Sequence, residues 1–415
     1  MLNSAPPQGR LIFFDNLRYL FVLFVVVEHS AHAYDGLAWW AVVDPSPSLL
    51  AGWLAAFSDV FAMPLLFYIA GYFVLPNLQK KGMAGFLKGK LRRLGIPWLV
   101  CILFITPIFA LIFNYTRNSL THSYWALWLE EMNSALQFTV GFINSMSQFA
   151  QHYMWFLSLL LLFFFLFALL HALAGNWLNG AGKTRQPRPA TAGSTLGQFF
   201  GIGLATTLFS FATVMLMMEL ARQPEPWFLL GNLIQFRPSR LFFYVLYFGL
   251  GVATYRNQWL ERGWLPGRLK VWAVAFAVLL PAFLVAHHLL NFGAPKLKGI
   301  YAPVYFLLLN FLCAACLGLS LSLGLKYWNQ PKRRDHSLAV NSYNIYLAHY
   351  GFVMTAQLIL LPLSAIPGTV KFILVAASSG LLAYLSSNWL IRPHPRLAVL
   401  TAFGLWAVMV LTIQP

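Results

Sequence analysis

Residues 11–35 read LIFFDNLRYLFVLFVVVEHSAHAYD. Residues 19–27 hold no ionisable group except the Tyr19 phenol. They lie between two polar clusters, Asp15 and Arg18 before them and Glu28, His29 and His32 after. A surface helix would interrupt such a run with charge at every turn. With its flanking polar clusters the stretch has the length of about 20 residues that a helix needs to cross a ~30 Å hydrocarbon core. The stretch 16–35 is therefore predicted to be a first transmembrane span. Comparable runs recur at 54–76, 94–114, 153–174, 198–219, 240–256, 270–290, 301–325, 339–362, 369–391 and 397–413. The stretch 134–150 is apolar but interrupted by Gln137, Asn144 and Gln148, and reads as a lid or re-entrant piece.

The whole chain agrees with this reading. Of 415 residues, 59% are hydrophobic and 9% charged, and mean hydropathy is +0.67. Soluble domains carry about 25% charged residues. A soluble enzyme, a nucleic-acid-binding domain and a disordered chain are excluded. A β-barrel is excluded too, because its strands would alternate over about 10 residues. The expected class is an all-α, polytopic membrane bundle of ten core helices and an eleventh at the C-terminus, with the bilayer as its first partner.

Net charge is +17. On alternate loops counted from the N-terminus lie 21 of the 28 Lys and Arg residues. The other set has seven: Arg117, Arg222, Arg237, Arg240, Lys296, Lys298 and Lys371. Positive residues accumulate on the cytoplasmic side, so the N-terminus is expected there. The polar first ten residues and the lack of a small-residue cleavage site argue against a removable signal. Loop 175–197 reads as a flexible linker. The three cysteines, Cys101, Cys313 and Cys316, lie in apolar runs and read as core, so no resident metal is expected.

Ionisable groups inside spans are costly unless paired or wet, and so point to function. Arg18 and His29 are eleven residues apart, about three helical turns, and share a face roughly 16 Å apart along the axis. Asp15 is placed to brace Arg18, and Glu28 and His32 share a neighbouring face. A cation that grips phosphate at the membrane edge, with an imidazole three turns deeper, suits a long donor with a phosphorylated head and a reactive end. Acyl-coenzyme A has that form, and an imidazole is suited to act as general base. Structural glue between helices is the alternative. A basic run follows the second span: Lys80, Lys81, Lys88, Lys90, Arg92 and Arg93. It lies on the predicted face of Arg18, where it would bind donor phosphates or only set topology. His152 and Trp155 open a span from the other side, as acceptor contacts or interface anchors. Asp59 lies at the same side. Tyr346 and His349 share a face in a late span.

In this order the segments resemble membrane-bound acyltransferase family 3. Arg18 and His29 match its Arg-x10-His pattern. Residues 14–18 (FDNLR) resemble its LDxLR opening, 67–73 (FYIAGYF) its FFxxSGxF segment, and 91–97 (LRRLGIP) its RxxRLxxP stretch. Residues 155–157 (WFL) and 343–349 (YNIYLAH) resemble its WFL and YxxYLxH segments. The chain is also similar to the subgroup of periplasmic-glucan succinyltransferases. The resemblance implies a domain over 1–395; two departures from its pattern are expected, 396–415 as an additional transmembrane or interfacial helix and no appended SGNH hydrolase-like domain. It implies acyl transfer, acetyl or succinyl, from cytoplasmic acyl-CoA to a glycan or other hydroxyl acceptor reached from the outer side of a bacterial inner membrane. His29 would be the catalytic base, with Arg18 and Glu28 beside it. Donor contacts would come from Arg18, Lys88, Lys90, Arg92, Arg93, Tyr346 and His349, and acceptor contacts from His32, Asp59, His152 and Trp155. Direct transfer and an acyl-histidine relay both fit, as do monomer and homodimer. The rival class is a proton-coupled carrier with a Glu/His relay. Such carriers tend to show two similar halves, and no internal repeat is evident here.

Overall fold

Helix occupies most of every predicted span in the computed structural model, which describes residues 11–37, 39–143, 151–180, 191–231 and 233–412. In chain order the helices are α1 (Phe13–Ala31), α2 (Leu49–Lys90), α3 (Ile96–Phe104), α4 (Thr106–Thr116), α5 (Tyr124–Leu136) and α6 (Trp155–Gly180). They continue with α7 (Ala192–Ala221), α8 (Pro238–Arg256), α9 (Leu269–Phe292), α10 (Lys298–Tyr327), α11 (Arg333–Leu360), α12 (Gly368–Ser386) and α13 (Pro395–Thr412). Among the described residues, seven helical stretches are long and apolar enough to cross a membrane. Helices α1, α8 and α11 are not among them. They carry the polar groups, such as Arg18, Arg240 and His349, that the bundle turns inward. α1 packs against α2, α10, α11 and α12, so the least lipid-like helices lie where protein can solvate them.

Lipid supplies no hydrophobic drive for helices to meet, and contact depends on close packing of small residues. Gly71 on α2 and Gly251 on α8 show this. A Cβ at Gly71 would lie 2.0 Å from the Phe248 carbonyl oxygen, and one at Gly251 would lie 2.1 Å from that of Tyr68. Each glycine makes room for the other helix's backbone, and the Tyr68 hydroxyl donates to Thr254 Oγ1 across the same contact (3.2 Å).

Four features depart from the sequence expectation. The first span ends at Ala31 rather than 35: Tyr34 N–H bonds back to the Ala31 carbonyl, and Asp35 Oδ1 accepts from Leu37 N–H. The expected span 94–114 is two helices. Pro107 has no N–H for the Leu103 carbonyl; Trp128 Nε1 on α5 takes that carbonyl instead (2.8 Å), and the Tyr124 hydroxyl takes Phe104's (3.2 Å). The stretch 134–150 finishes α5 and then forms a strand, β1 (Val140–Phe142); residues 144–150 lie outside the described residues. β1 joins β2 (Phe228–Leu230) and β3 (Ile234–Phe236) in an antiparallel sheet, order β1-β2-β3, with Gly141 opposite Leu229 and Leu229 opposite Gln235. The fully buried Gln151 ties this sheet to α6: its N–H meets Gln235 Oε1 (2.8 Å), and its Nε2 donates to the Leu233 carbonyl (2.7 Å). Most of the expected linker 175–197 lies outside the described residues or within α6 and α7.

The α2–α8 contact yields a test. Gly251→Ala is expected to lower the thermal midpoint of the detergent-solubilised protein, because neither backbone can retreat. Gly249→Ala, on the same helix with open space around it, is expected to hold or raise it, alanine being the better helix former by about 1 kcal/mol. Equal midpoints for the two variants would refute the close-packing account.

Candidate active site around His29

His29 occupies the last turn of α1 and retains partial exposure. Its Nδ1 lies 2.8 Å from Nε2 of the fully buried His349 on α11, with the rings nearly coplanar at 6°. His349 Nδ1 in turn lies 2.6 Å from the Tyr346 carbonyl oxygen. A carbonyl only accepts, so His349 Nδ1 carries a hydrogen. Neutral His349 then offers a lone pair at Nε2, and His29 Nδ1–H donates to it. The lone pair of His29 is thereby placed on Nε2, where a proton can be received.

α11 is held in this position by tyrosines. The Tyr346 hydroxyl donates to the Tyr153 carbonyl (2.6 Å), and the Tyr153 hydroxyl donates to that of Leu347 (3.0 Å). The Tyr153 and Tyr350 rings stack at 4.5 Å. Trp40, from the connection between α1 and α2, stacks on the other ring of the pair: its centroid is 5.5 Å from that of His29, at 24°. Gln357 on α11 joins these parts. Its Oε1 accepts from Trp40 Nε1 (2.9 Å), and its Nε2 donates to the carbonyls of His29 (3.2 Å) and Ser30 (3.3 Å).

Beside His29, His32 binds Asp35 through Nδ1 (2.9 Å), and its Nε2 lies 3.9 Å from Glu28 Oε1. Asp59 pairs with the buried Arg240 (2.8 Å), which also binds Glu225 (3.0 Å). Asp59 and Arg237 lie close enough to Glu28 for their charges to act on its carboxyl. His152 and Trp155 sit in aromatic packing: His152 is edge-on to Phe109 at 4.9 Å, and Trp155 lies against Trp227 and Tyr244.

At the other end of α1, Asp15 braces Arg18 at 2.9 Å. Lys90 sits over the Phe164 ring at 3.6 Å and within electrostatic range of Arg18, Lys81 and Arg93. Arg93 lies over the Tyr343 ring at 5.3 Å, and the Tyr343 hydroxyl donates to the Arg93 carbonyl. Lys88 and Arg92 stay exposed. The late-span motif is thus divided. Tyr343 meets the basic cluster, whereas His349, grouped with the donor contacts in the sequence reading, meets His29, and Tyr346 bonds the Tyr153 backbone.

Trp40, Gln357, Tyr153 and Arg117 were not among the predicted site residues. Gln357 was visible as an amide inside an apolar span, and Arg117 as one of the few cations off the basic side. Nothing local marked Trp40.

A family model described as an acyltransferase domain, family 3, matches residues 11–412, through α13. Glucans biosynthesis protein C of Shigella dysenteriae serotype 1 is 25% identical over 257 residues, 61% of this chain and 60% of that protein. Its counterpart in Escherichia coli is 29% identical over 120 residues, 28% of this chain and 30% of that protein. That of Salmonella paratyphi B is 25% identical over 259 residues, 61% and 60% of the two chains. The chain thus spans at most about 60% of the length of these curated relatives. No solved structure matches the chain.

The connection that carries Trp40 is anchored by a buried ion pair, Lys371 Nζ to Asp44 Oδ2 at 2.6 Å. Breaking such a pair from one side leaves a naked charge and costs about 3–5 kcal/mol. Asp44→Ala is expected to lower the thermal midpoint strongly, and Asp44→Leu with Lys371→Met to recover most of the loss. A double variant no better than Asp44→Ala would show that the pair's value is not charge compensation.

Proposed function

The chain belongs to membrane-bound acyltransferase family 3 and is an integral membrane protein; within that family we propose that it moves an acetyl or succinyl group from acyl-CoA to a glycan hydroxyl, with His29 Nε2 as general base. The observation that carries this reading is the hydrogen-bond relay Tyr346 carbonyl–His349–His29. It leaves a lone pair on an imidazole whose helix also bears Arg18 about three turns away, beside Lys90 and Arg93. The relatives' name supports a glycan acceptor, and the family match favours a transferase over a carrier.

The CoA phosphates bind Arg18, Lys90 and Arg93 on the cytoplasmic side of a bacterial inner membrane, where the N-terminus also lies. Lys88 and Arg92 extend the field that attracts the donor. The pantetheine arm runs along α1 toward His29. The acceptor hydroxyl arrives from the opposite side, along Glu28, His32 and Asp59, with His152 and Trp155 in the aromatic wall behind. His29 Nε2 takes the hydroxyl proton as the oxygen attacks the thioester carbonyl. The C–S bond breaks, and the proton passes to sulfur to give free CoA. His349 holds the His29 tautomer, as the orienting member of a catalytic triad does. Helix α13 belongs to the same domain or borders it as an added helix.

Two measurements test this. CoA is expected to raise the thermal midpoint of the wild type, because a ligand at 100 times its Kd adds about 2.7 kcal/mol. Arg18→Ala is expected to lose the shift. Absence of any shift with CoA, acetyl-CoA or succinyl-CoA at millimolar concentration would remove the donor assignment. In membranes of a deletion strain complemented with each variant, His29→Ala is expected to cut glycan acylation by about 10²–10⁴-fold. His349→Gln, which still offers an acceptor to His29 Nδ1–H, should retain more activity than His349→Leu. A fully active His29→Ala protein would overturn the base assignment.

A further inference from the structure

Connections between helices usually run over the surface, yet Trp40 is only 4% exposed. Its place is fixed from three sides. Its Nε1–H donates to Gln357, and its carbonyl accepts from Arg117 Nη2 (2.9 Å). The next carbonyl, of Ala41, accepts from Thr116 Oγ1 (2.7 Å) and Arg117 Nη1 (3.2 Å). Arg117 itself lies over the Phe113 ring at 3.6 Å. Further along, Asp44 is locked to Lys371, and Ser48 Oγ pairs with Thr369 Oγ1 on α12 (2.8 Å). The connection is thus a strap fastened to α4, α11 and α12, and its Trp40 indole lies at 24° to the imidazole of His29. The Tyr350 edge, 5.3 Å from Trp40 and 5.2 Å from His29, closes the corner between them.

We propose that Trp40 is a positioning residue that shields His29 and decides whether the acyl group goes to an alcohol or to water. This rests on the reading of His29 as the base of a thioester-dependent transfer. The two outcomes differ only in the nucleophile. With an alcohol, its O–H proton goes to His29 Nε2, the new C–O bond forms, the C–S bond breaks and the proton moves to sulfur, giving ester and thiol. With water in the same place, the identical steps give carboxylic acid and the same thiol. A base strong enough for one activates the other, so selectivity requires that water be kept off the imidazole until a larger acceptor fills the space. The indole covers one face of the ring, and Gln357 couples its position to the backbone that carries His29. A packing role alone would explain the burial of the indole; the amide shared between Trp40 and the His29 carbonyl is what ties the shield to the base.

The test uses purified full-length protein without acceptor. Thiol release from succinyl-CoA and acetyl-CoA is expected to rise roughly tenfold in Trp40→Ala, as sites opened to water leak reactive groups. Trp40→Phe, which keeps a ring there, should stay near wild type. The rise should vanish in His29→Ala/Trp40→Ala. A second readout does not depend on the donor: carbethoxylation of His29 by diethylpyrocarbonate, followed by peptide mass spectrometry, should be faster in Trp40→Ala than in wild type or Trp40→Phe. Gln357→Met releases the indole without emptying the core. It should shift both readouts in the same direction, and it replaces Trp40→Ala if that variant does not fold. If no variant cleaves either thioester while His29 modification still accelerates, the donor assignment fails and the shield stands. If His29 is modified equally fast with and without the indole, or if hydrolysis rises equally without His29, the shield is overturned.

Discussion

A single 2.8 Å hydrogen bond between His29 and His349 joins residues 320 positions apart. Most of what surrounds it serves to make that bond possible inside an apolar bundle. Two imidazoles away from bulk water must each have their donors and acceptors answered. The Tyr346 carbonyl answers one end. α11 is held in place by Tyr346 and Tyr153, each bonding the other's neighbourhood. The carbonyls at the end of α1 are met by Gln357. The result is a directional chain of hydrogen bonds that leaves the His29 lone pair on Nε2.

The ionic groups follow a different logic. They are arranged at the two ends of α1 in unlike ways. At the Arg18 end, cations gather: Arg18, Lys81, Lys90 and Arg93, with Asp15 bonded to Arg18. At the His29 end, each base sits between two acids: His32 between Glu28 and Asp35, and Arg240 between Asp59 and Glu225. The first arrangement has charge to offer a polyanion. The second pairs its bases with carboxylates and suits hydroxyl groups, which need both donors and acceptors.

What could be read from sequence was what helical geometry makes local. The phase of Arg18 and His29, the brace from Asp15, and the pairing of Glu28 with His32 all lie within one helix and follow from 3.6 residues per turn. The contact of Gly71 with Gly251 was not legible, because nothing in either segment names the other. His349 was visible as a polar residue on the face of Tyr346, but a periodicity cannot say which of two membrane faces it serves. The three-residue strands are too short to show alternation. Pro107 was in plain view inside a predicted span. Its effect depended on Trp128, 21 positions away, reaching the carbonyl that proline left open. Trp40 was illegible because its role comes from three distant clamps and none of its neighbours.

The mutual glycine contact bears on how such a molecule can move. With Gly71 and Gly251 seated against each other's backbone, α2 and α8 cannot slide or rotate past one another without collision. They form a strut. The pieces around His29 are joined instead through side chains, by the amide of Gln357, the guanidinium of Arg117 and the phenols of Tyr153 and Tyr346, all bonds that can be exchanged one at a time. Compliance in this protein is therefore divided unevenly. The strut is fixed by backbone contact, while the rearrangements that cost least lie in the layer of side chains around His29.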